Sequence, residues 1–206
     1  MAPKPESQLT NRQLRTRKDL LLAAARLLKA GGRKPSMDEV AKEALVSRAT
    51  AYRHFPTLES LLVEAPIDDA VPTPQALFDD DSSVDPLERI DKAEAALHDM
   101  TYHNEVQLRL MLASSLYRQR TGSGKDAVPV RQNRRSALIQ AALEPARDLF
   151  DGAVYDRLCK ALALIFGTES MVVFRDVAPI SREEARAVKS WAARTLVRAA
   201  IEESKR

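Results

Sequence analysis

The sequence contains one cysteine, six glycines and few aromatic side chains. The lone Cys159 cannot form an internal disulfide or a cysteine-rich zinc module. Six glycines in 206 residues are too few for a nucleotide-binding scaffold built on glycine-rich loops. Aromatic residues make up 5% of the chain, which argues against a platform that stacks RNA bases. The hydrophobic content of 45% is ordinary and indicates a globular protein with a real core.

Long apolar runs are also missing. No stretch approaches the ~20 apolar residues that a membrane span needs. The first ten residues, Met1 to Thr10, are polar and contain no apolar stretch of the signal-peptide type. We therefore expect a cytoplasmic protein with no membrane partner.

Charge is distributed unevenly along the chain. Residues 1–65 contain 12 lysines and arginines against 7 aspartates and glutamates, whereas residues 66–206 contain 20 against 22. A basic N-terminal third on a slightly acidic remainder suggests that the first part meets a polyanion.

Strand patterns are nearly absent, and apolar residues recur at helical spacing almost everywhere. We expect an all-α protein of about nine helices. Residues 1–65 form an N-terminal arm and a small helical head, and residues 87–206 form a helical bundle. Residues 66–86 hold four prolines and six aspartates, so we interpret them as an irregular connection. Pro66 is expected to stop the fourth helix.

Residues 36–55 predict two short helices separated by a three-residue break, which is the helix-turn-helix arrangement. Ser36 begins the first helix, with Glu39 in the capping-box position. The second helix runs from about Arg48 to His54. A helix of this kind fits the major groove of B-DNA, where an arginine such as Arg48 can donate two hydrogen bonds to guanine.

This head resembles the DNA-binding head of the TetR family, the tetracycline-repressor-like regulators. The resemblance covers about Arg17 to Glu64 and rests on four linked pieces. They are Leu20-Leu21 with Ala23-Ala24, Gly31-Gly32 before Ser36, the run from Val46 to Phe55 with its Tyr-x-His-Phe ending, and Leu61-Leu62.

The resemblance implies double-stranded DNA as a partner and assigns contacts by position. Bases would be faced by Arg48, Ala49, Thr50 and His54. Phosphates would be faced by Ser36, Tyr52 and Thr57. His54 has the alternative role of capping the end of its helix. The basic arm could reach the adjacent backbone or minor groove through Arg12, Arg15, Arg17 and Lys18.

Two residues depart from the pattern of the family. Leu45 stands where a glycine is common, in a turn that often requires a positive φ. Leu58 stands where a lysine usually contacts a phosphate. We predict that Leu45→Gly leaves DNA binding intact and does not lower stability.

For the bundle, the resemblance implies a small-molecule effector and a homodimer formed through the last two helices. The candidate pocket residues are His98, Tyr102, Tyr117 and Glu169. For Glu169, an arginine of the same chain is the favoured partner over a ligand cation. His98 and His103 are five residues apart, which does not suit a metal site on one helix face.

We therefore expect a sequence-specific regulator, most simply a repressor that a small molecule releases from a palindromic operator. No phosphate loop, metalloprotease motif or nucleophile elbow is present, so we expect no enzyme, no cofactor and no metal. Two alternatives remain open, a DNA-binding dimer without a ligand and a helical protein-interaction module.

Overall fold

Helices form all the regular structure in residues 11–30, 33–120 and 133–206, which are the residues that this computed structural model describes. The all-α prediction is therefore confirmed. In chain order the α-helices are α1 (Asn11–Ala30), α2 (Met37–Glu43), α3 (Arg48–His54), α4 (Leu58–Ala70), α5 (Pro74–Phe78), α6 (Pro86–His103), α7 (Glu105–Arg120), α8 (Arg134–Leu143), α9 (Gly152–Ile165), α10 (Thr168–Val172) and α11 (Arg182–Ser204). A 3-10 helix (Glu144–Leu149) follows α8, and a π-helical segment (Val173–Val177) follows α10.

The chain divides into two units. The first comprises residues 1–70 and 106–132, and the second comprises residues 71–105 and 133–206. Every helix in the described part of the chain is too short or too polar to span a bilayer.

The helices of the first unit, which we call the head, begin where short polar side chains satisfy backbone N–H groups. The Ser36 hydroxyl accepts from the Glu39 N–H at 3.3 Å, and the Glu39 carboxylate accepts from the Ser36 N–H at 2.8 Å, as the capping box predicts. Ser47 caps α3 by accepting from the Thr50 N–H at 3.1 Å. Small and branched side chains fill the core between α1, α2, α3 and α4, chiefly Leu20, Leu21, Ala24, Val40, Ala41, Ala51, Phe55 and Leu61.

The predicted end of the fourth helix near Pro66 is wrong, because α4 continues through Pro66 to Ala70. Proline removes one N–H and so leaves one carbonyl without its helical donor. Pro66 lies on the exposed side of α4, where solvent can satisfy such a carbonyl, while Ala65 and Ile67 are buried. The burial of Ala65 and Ile67, on either side of Pro66, offsets the free-energy cost of a proline inside the helix.

The second unit is built around α6, α8, α9 and α11. Its core is formed mainly by aliphatic and aromatic side chains, including Ile90, Leu97, Leu138, Ile139, Leu143, Leu158, Leu162, Phe166 and Val197. Short polar side chains begin its helices: Asp85 caps α6 with Pro86 in its first turn, Asp151 caps α9, and Ser181 caps α11.

The described residues form eleven α-helices, which is consistent with the expected count of about nine, and two features account for the additional helices. The connection at residues 66–86 contains α5, which Thr73 caps. The apolar segment after Asp151 forms two helices, α9 and α10, which are separated at Gly167, where φ is +107°. An ideal Cβ on Gly167 would lie 3.0 Å from the guanidinium carbon of Arg135, so both backbone angle and space favour glycine here.

Two features of the sequence analysis fall outside the described residues. They are the polar segment from Met1 to Thr10 and Gly31-Gly32, one of the four pieces of the family resemblance. The side chain of Tyr117 is also outside the description.

Candidate functional site

The two helices predicted to form the helix-turn-helix are joined by a turn that places Leu45 in a strained conformation. Leu45 has a φ of +55°, and no other non-glycine residue in the described ranges has a positive φ. Its side chain is 93% exposed, so packing does not hold it there. The turn closes through backbone bonds, with the Val46 N–H donating to the Ala41 carbonyl at 2.9 Å. The expected positive φ at this position is present.

The N-terminal part of α3 is presented to solvent. Arg48 and Ala49 are exposed, and Tyr52 is 39% exposed, whereas Ala51 and Phe55 are buried in the head. The buried residues hold α3 against the core of the head. The exposed ones form a helix face that can enter a major groove.

Arg48 is held loosely. Its guanidinium lies 3.1 Å from the Asp38 carboxylate and 5.5 Å from the centre of the Tyr52 ring. The two charged side chains are 63% and 60% exposed, so the ion pair contributes little stability. Arg48 can therefore exchange Asp38 for a base edge at low cost.

Three other predicted contact residues have hydroxyls that already make local hydrogen bonds, two of them to the backbone. Ser36 caps α2, and Thr57 accepts from the Ser60 N–H at 3.1 Å at the start of α4. Both residues are exposed. Thr50 is half-buried, and its hydroxyl lies 2.9 Å from that of Ser47.

The predicted base contact by His54 is wrong, because its side chain is buried in the head with 2% exposed. His54 follows Ala51 by three residues and therefore lies on the buried face of α3. Burial, followed by the charges of Arg53 and Arg17, lowers the pKa of the imidazole. The neutral ring belongs to the interior of the head.

Arg17 also differs from expectation. It is 3% exposed, and its guanidinium donates to the His54 carbonyl at 3.0 Å rather than projecting from a basic arm. Leu58, the second departure from the family pattern, is half-buried and packs against the core of the head.

Two of the predicted pocket residues lie together in the second unit. His98 and Tyr102 are one turn apart on α6, and their ring centres are 4.4 Å apart in a stacked arrangement. His98 is 1% exposed and Tyr102 is 8% exposed. Glu169 pairs with Arg135 at 2.8 Å, which confirms the expected arginine partner.

Sequence reasoning missed a buried ion pair beside these rings. Lys189 of α11 lies 2.6 Å from Glu94 of α6, and their side chains are 3% and 2% exposed. Burial raises the pKa of Glu94 and lowers the pKa of Lys189, and the attraction between them opposes both shifts. A signal was available, because each charge replaces an apolar residue on a buried helix face, between Ile90 and Leu97 in α6 and between Ala185 and Ala193 in α11.

The fold and the exposed α3 define the head as a helix-turn-helix domain of the DNA-binding type. Residues 20–65 match the family model for bacterial regulatory proteins of the tetR family, which confirms the resemblance over the head. The chain is thus a DNA-binding transcriptional regulator with a tetR-family domain. No curated protein matches the chain.

Proposed function

We propose that this protein is a repressor that binds a palindromic operator as a homodimer and leaves it when a small molecule binds the second unit. The observation that carries the proposal is the exposed N-terminal part of α3 within a tetR-family head. In this proposal the chain is a cytoplasmic regulator and not an enzyme, and its partners are duplex DNA, a second copy and an effector.

On DNA, the proposed roles divide between base edges and phosphates. Arg48, Ala49 and Thr50 face bases from the start of α3. Ser36, Tyr52 and Thr57 face phosphates around them. Phosphate contacts set the register and the salt dependence, whereas base contacts set the sequence preference.

A second copy is supported by apolar surface on the last helices. Val177 and Trp191 are 76% and 69% exposed. Large exposed apolar side chains are typical of an interface. Two heads related by a twofold axis can enter successive major grooves, about 34 Å apart.

An effector is supported by the buried polar side chains of the second unit. His98 and Tyr102 have polar atoms without a hydrogen-bond partner among the described residues. Unsatisfied buried polar atoms are costly, and a ligand can satisfy them. A ligand that binds one conformation more tightly shifts the population toward it, which changes DNA affinity.

The experiment that tests this function is selection of bound duplexes from a random DNA pool, at about 150 mM salt with competitor DNA. We expect enrichment of an inverted repeat whose half-sites are about one helical turn apart. Sedimentation of the protein with the selected duplex should give two chains per duplex. A folded protein that enriches no sequence, or that binds as a single chain, would contradict the proposal.

A further inference from the structure

A groove of about 280 Å³ lies in the second unit, between the end of α9, the α10 segment with its π-helical continuation, and α11. Its walls are mostly apolar, formed by Leu164, Ile165, Val173, Phe174, Val188 and Ala192. Pockets for drug-sized ligands begin at about 300 Å³, so the groove suits a small molecule.

Three polar side chains also line the groove, and two of them are already engaged. Glu169 pairs with Arg135, and the Ser170 hydroxyl donates to the Gly167 carbonyl at 2.9 Å. The third is Lys189, whose side chain is 3% exposed. An ammonium has three N–H donors, and the pair with Glu94 needs one of them.

The charge of Lys189 acts on His98, and Tyr102 stacks on His98. Both ring nitrogens of His98 and the hydroxyl of Tyr102 are buried without a hydrogen-bond partner among the described residues. Phe174 connects the two regions, because it lines the groove and packs against the cluster that contains Tyr102. A neutral imidazole, a phenol and an ammonium each offer a donor.

The electrostatic environment of this cluster favours an anion. Burial, followed by the positive charges of Lys189 and Arg182, lowers the pKa of His98 to about 4. Arg186 acts in the same direction, and Asp99 is the opposing charge. Lys189 and Arg182 are offset by their ion-pair partners Glu94 and Asp99, and Arg186 adds a further positive charge. The groove that Lys189 lines is otherwise mostly apolar.

We propose that this groove binds a hydrophobic monocarboxylate, with its hydrocarbon chain along the apolar walls and its carboxylate at Lys189. The proposal rests on the effector role given above and names the chemical class of the effector. His98 and Tyr102 supply further donors to the carboxylate, and Glu94 keeps the ammonium in place. A charged head group in a mostly apolar site binds well only where such donors satisfy it.

The test is calorimetric titration of the full chain with three probes of equal chain length: octanoate, octanol and octylamine. We expect octanoate to bind and octanol to bind at least about tenfold more weakly. Octylamine, which repels Lys189, should not bind. Equal affinity for octanoate and octanol, or no binding of octanoate, would overturn the proposal.

Two variants locate the bound molecule without disturbing the ion pair. Ala192→Phe fills the groove and should abolish octanoate binding. Tyr102→Phe removes one hydroxyl and should weaken binding several-fold. Tyr155→Phe removes a hydroxyl elsewhere in the same unit and should leave binding unchanged. Circular dichroism verifies that each variant is folded, and unchanged binding by Ala192→Phe would place octanoate elsewhere and refute the site.

The same titration separates this inference from the proposed function. With the selected duplex bound, octanoate should release DNA from the unaltered chain and not from the Ala192→Phe variant. Intact DNA binding without octanoate binding would reject the carboxylate alone. Octanoate binding without any sequence-specific DNA binding would reject the regulator and keep the site.

Discussion

Arg17 and Glu64 form an ion pair inside the head, with 2.5 Å between the guanidinium nitrogen and the carboxylate oxygen. Their side chains are 3% and 5% exposed. The same guanidinium donates to the His54 carbonyl and lies 4.0 Å from the centre of the Phe55 ring. One side chain of α1 thus joins the end of α3 to α4.

Replacing Arg17 should therefore destabilise the head strongly. Arg17→Ala leaves Glu64 buried without this partner, which typically costs about 3–5 kcal/mol. Urea denaturation measures the loss. Arg26→Ala is the matched control on the same helix, because the Arg26 and Glu43 side chains are 63% and 41% exposed, and it should cost less than about 1 kcal/mol. Similar losses of stability for the two variants would show that the buried ion pair contributes no more than the exposed one.

Leu45→Gly should preserve DNA affinity and raise the free energy of unfolding. A non-glycine residue in the left-handed region costs roughly 1–2 kcal/mol, and the exposed Leu45 side chain loses little packing. The greater freedom of glycine in the unfolded chain offsets part of the gain. Ala44→Gly, at a φ of −82°, is the control and should only destabilise. A lower melting temperature for Leu45→Gly would contradict the assigned strain.

Arg48→Ala and Tyr52→Ala should weaken DNA binding in different ways. Without Arg48, affinity for the selected site should fall by about 1–3 kcal/mol more than affinity for random duplex. Without Tyr52, both affinities should fall together, since a phosphate contact carries no sequence information. Fluorescence anisotropy with both duplexes measures the difference. If Arg48→Ala lost equal affinity for both duplexes, Arg48 would have no base-reading role. The exposed Arg53 supplies a control, because Arg53→Ala should still discriminate fully between the selected site and random duplex.

Gly167→Ala should destabilise the second unit by about 1–3 kcal/mol, because alanine must adopt the φ of +107° and its Cβ meets the Arg135 guanidinium. Gly152→Ala is the matched control in the first turn of α9, where an added Cβ has no neighbour within 4 Å. In thermal denaturation, the melting temperatures of the two variants should shift in opposite directions. Gly152→Ala should raise the melting temperature, because alanine has a higher helix propensity than glycine. A neutral Gly167→Ala would argue against the strain.

His98 should make the fold sensitive to acid. Its pKa is lowered to about 4 by burial and nearby cations, below the ordinary value of 6.5. Between pH 6.5 and about pH 4, only the unfolded chain takes up a proton at His98. The stability that comes from keeping this imidazole neutral is therefore present above pH 6.5 and is lost as the pH falls toward 4. The loss amounts to about 2–3 kcal/mol.

His98→Leu should reduce this loss, as urea denaturation at pH 7 and at about pH 4.5 can show. The exposed His103 provides the control, because His103→Leu should keep the pH dependence of the unaltered chain. An unchanged dependence in His98→Leu would mean that other groups govern the acid response.

Local signals predicted the head well. Ser36 with Glu39 marks the start of α2, and α3 extends over the predicted Arg48 to His54. These features depend on residues three or four positions apart, which sequence shows directly. The passage of α4 through Pro66 depends instead on burial of Ala65 and Ile67 by other segments, which local signals do not contain.

The site was predicted less completely, for the same reason. The exposure of Arg48 and Tyr52 follows from the spacing of Ala51 and Phe55. That spacing also places His54 on the buried face, whereas family position alone suggested a DNA contact. Lys189 and Glu94 were missed because an ion pair between two distant helices requires a packing partner that neither helix specifies alone.

The division of the chain has a consequence for its covalent continuity. Residues 1–70 and 106–132 belong to one unit, and the intervening residues 71–105 belong to the other, so the backbone passes between the units three times. A protease that cuts one of these links cannot liberate either unit as a separate fragment. Truncation at any single position likewise cannot yield the whole first unit without residues 71–105 of the second.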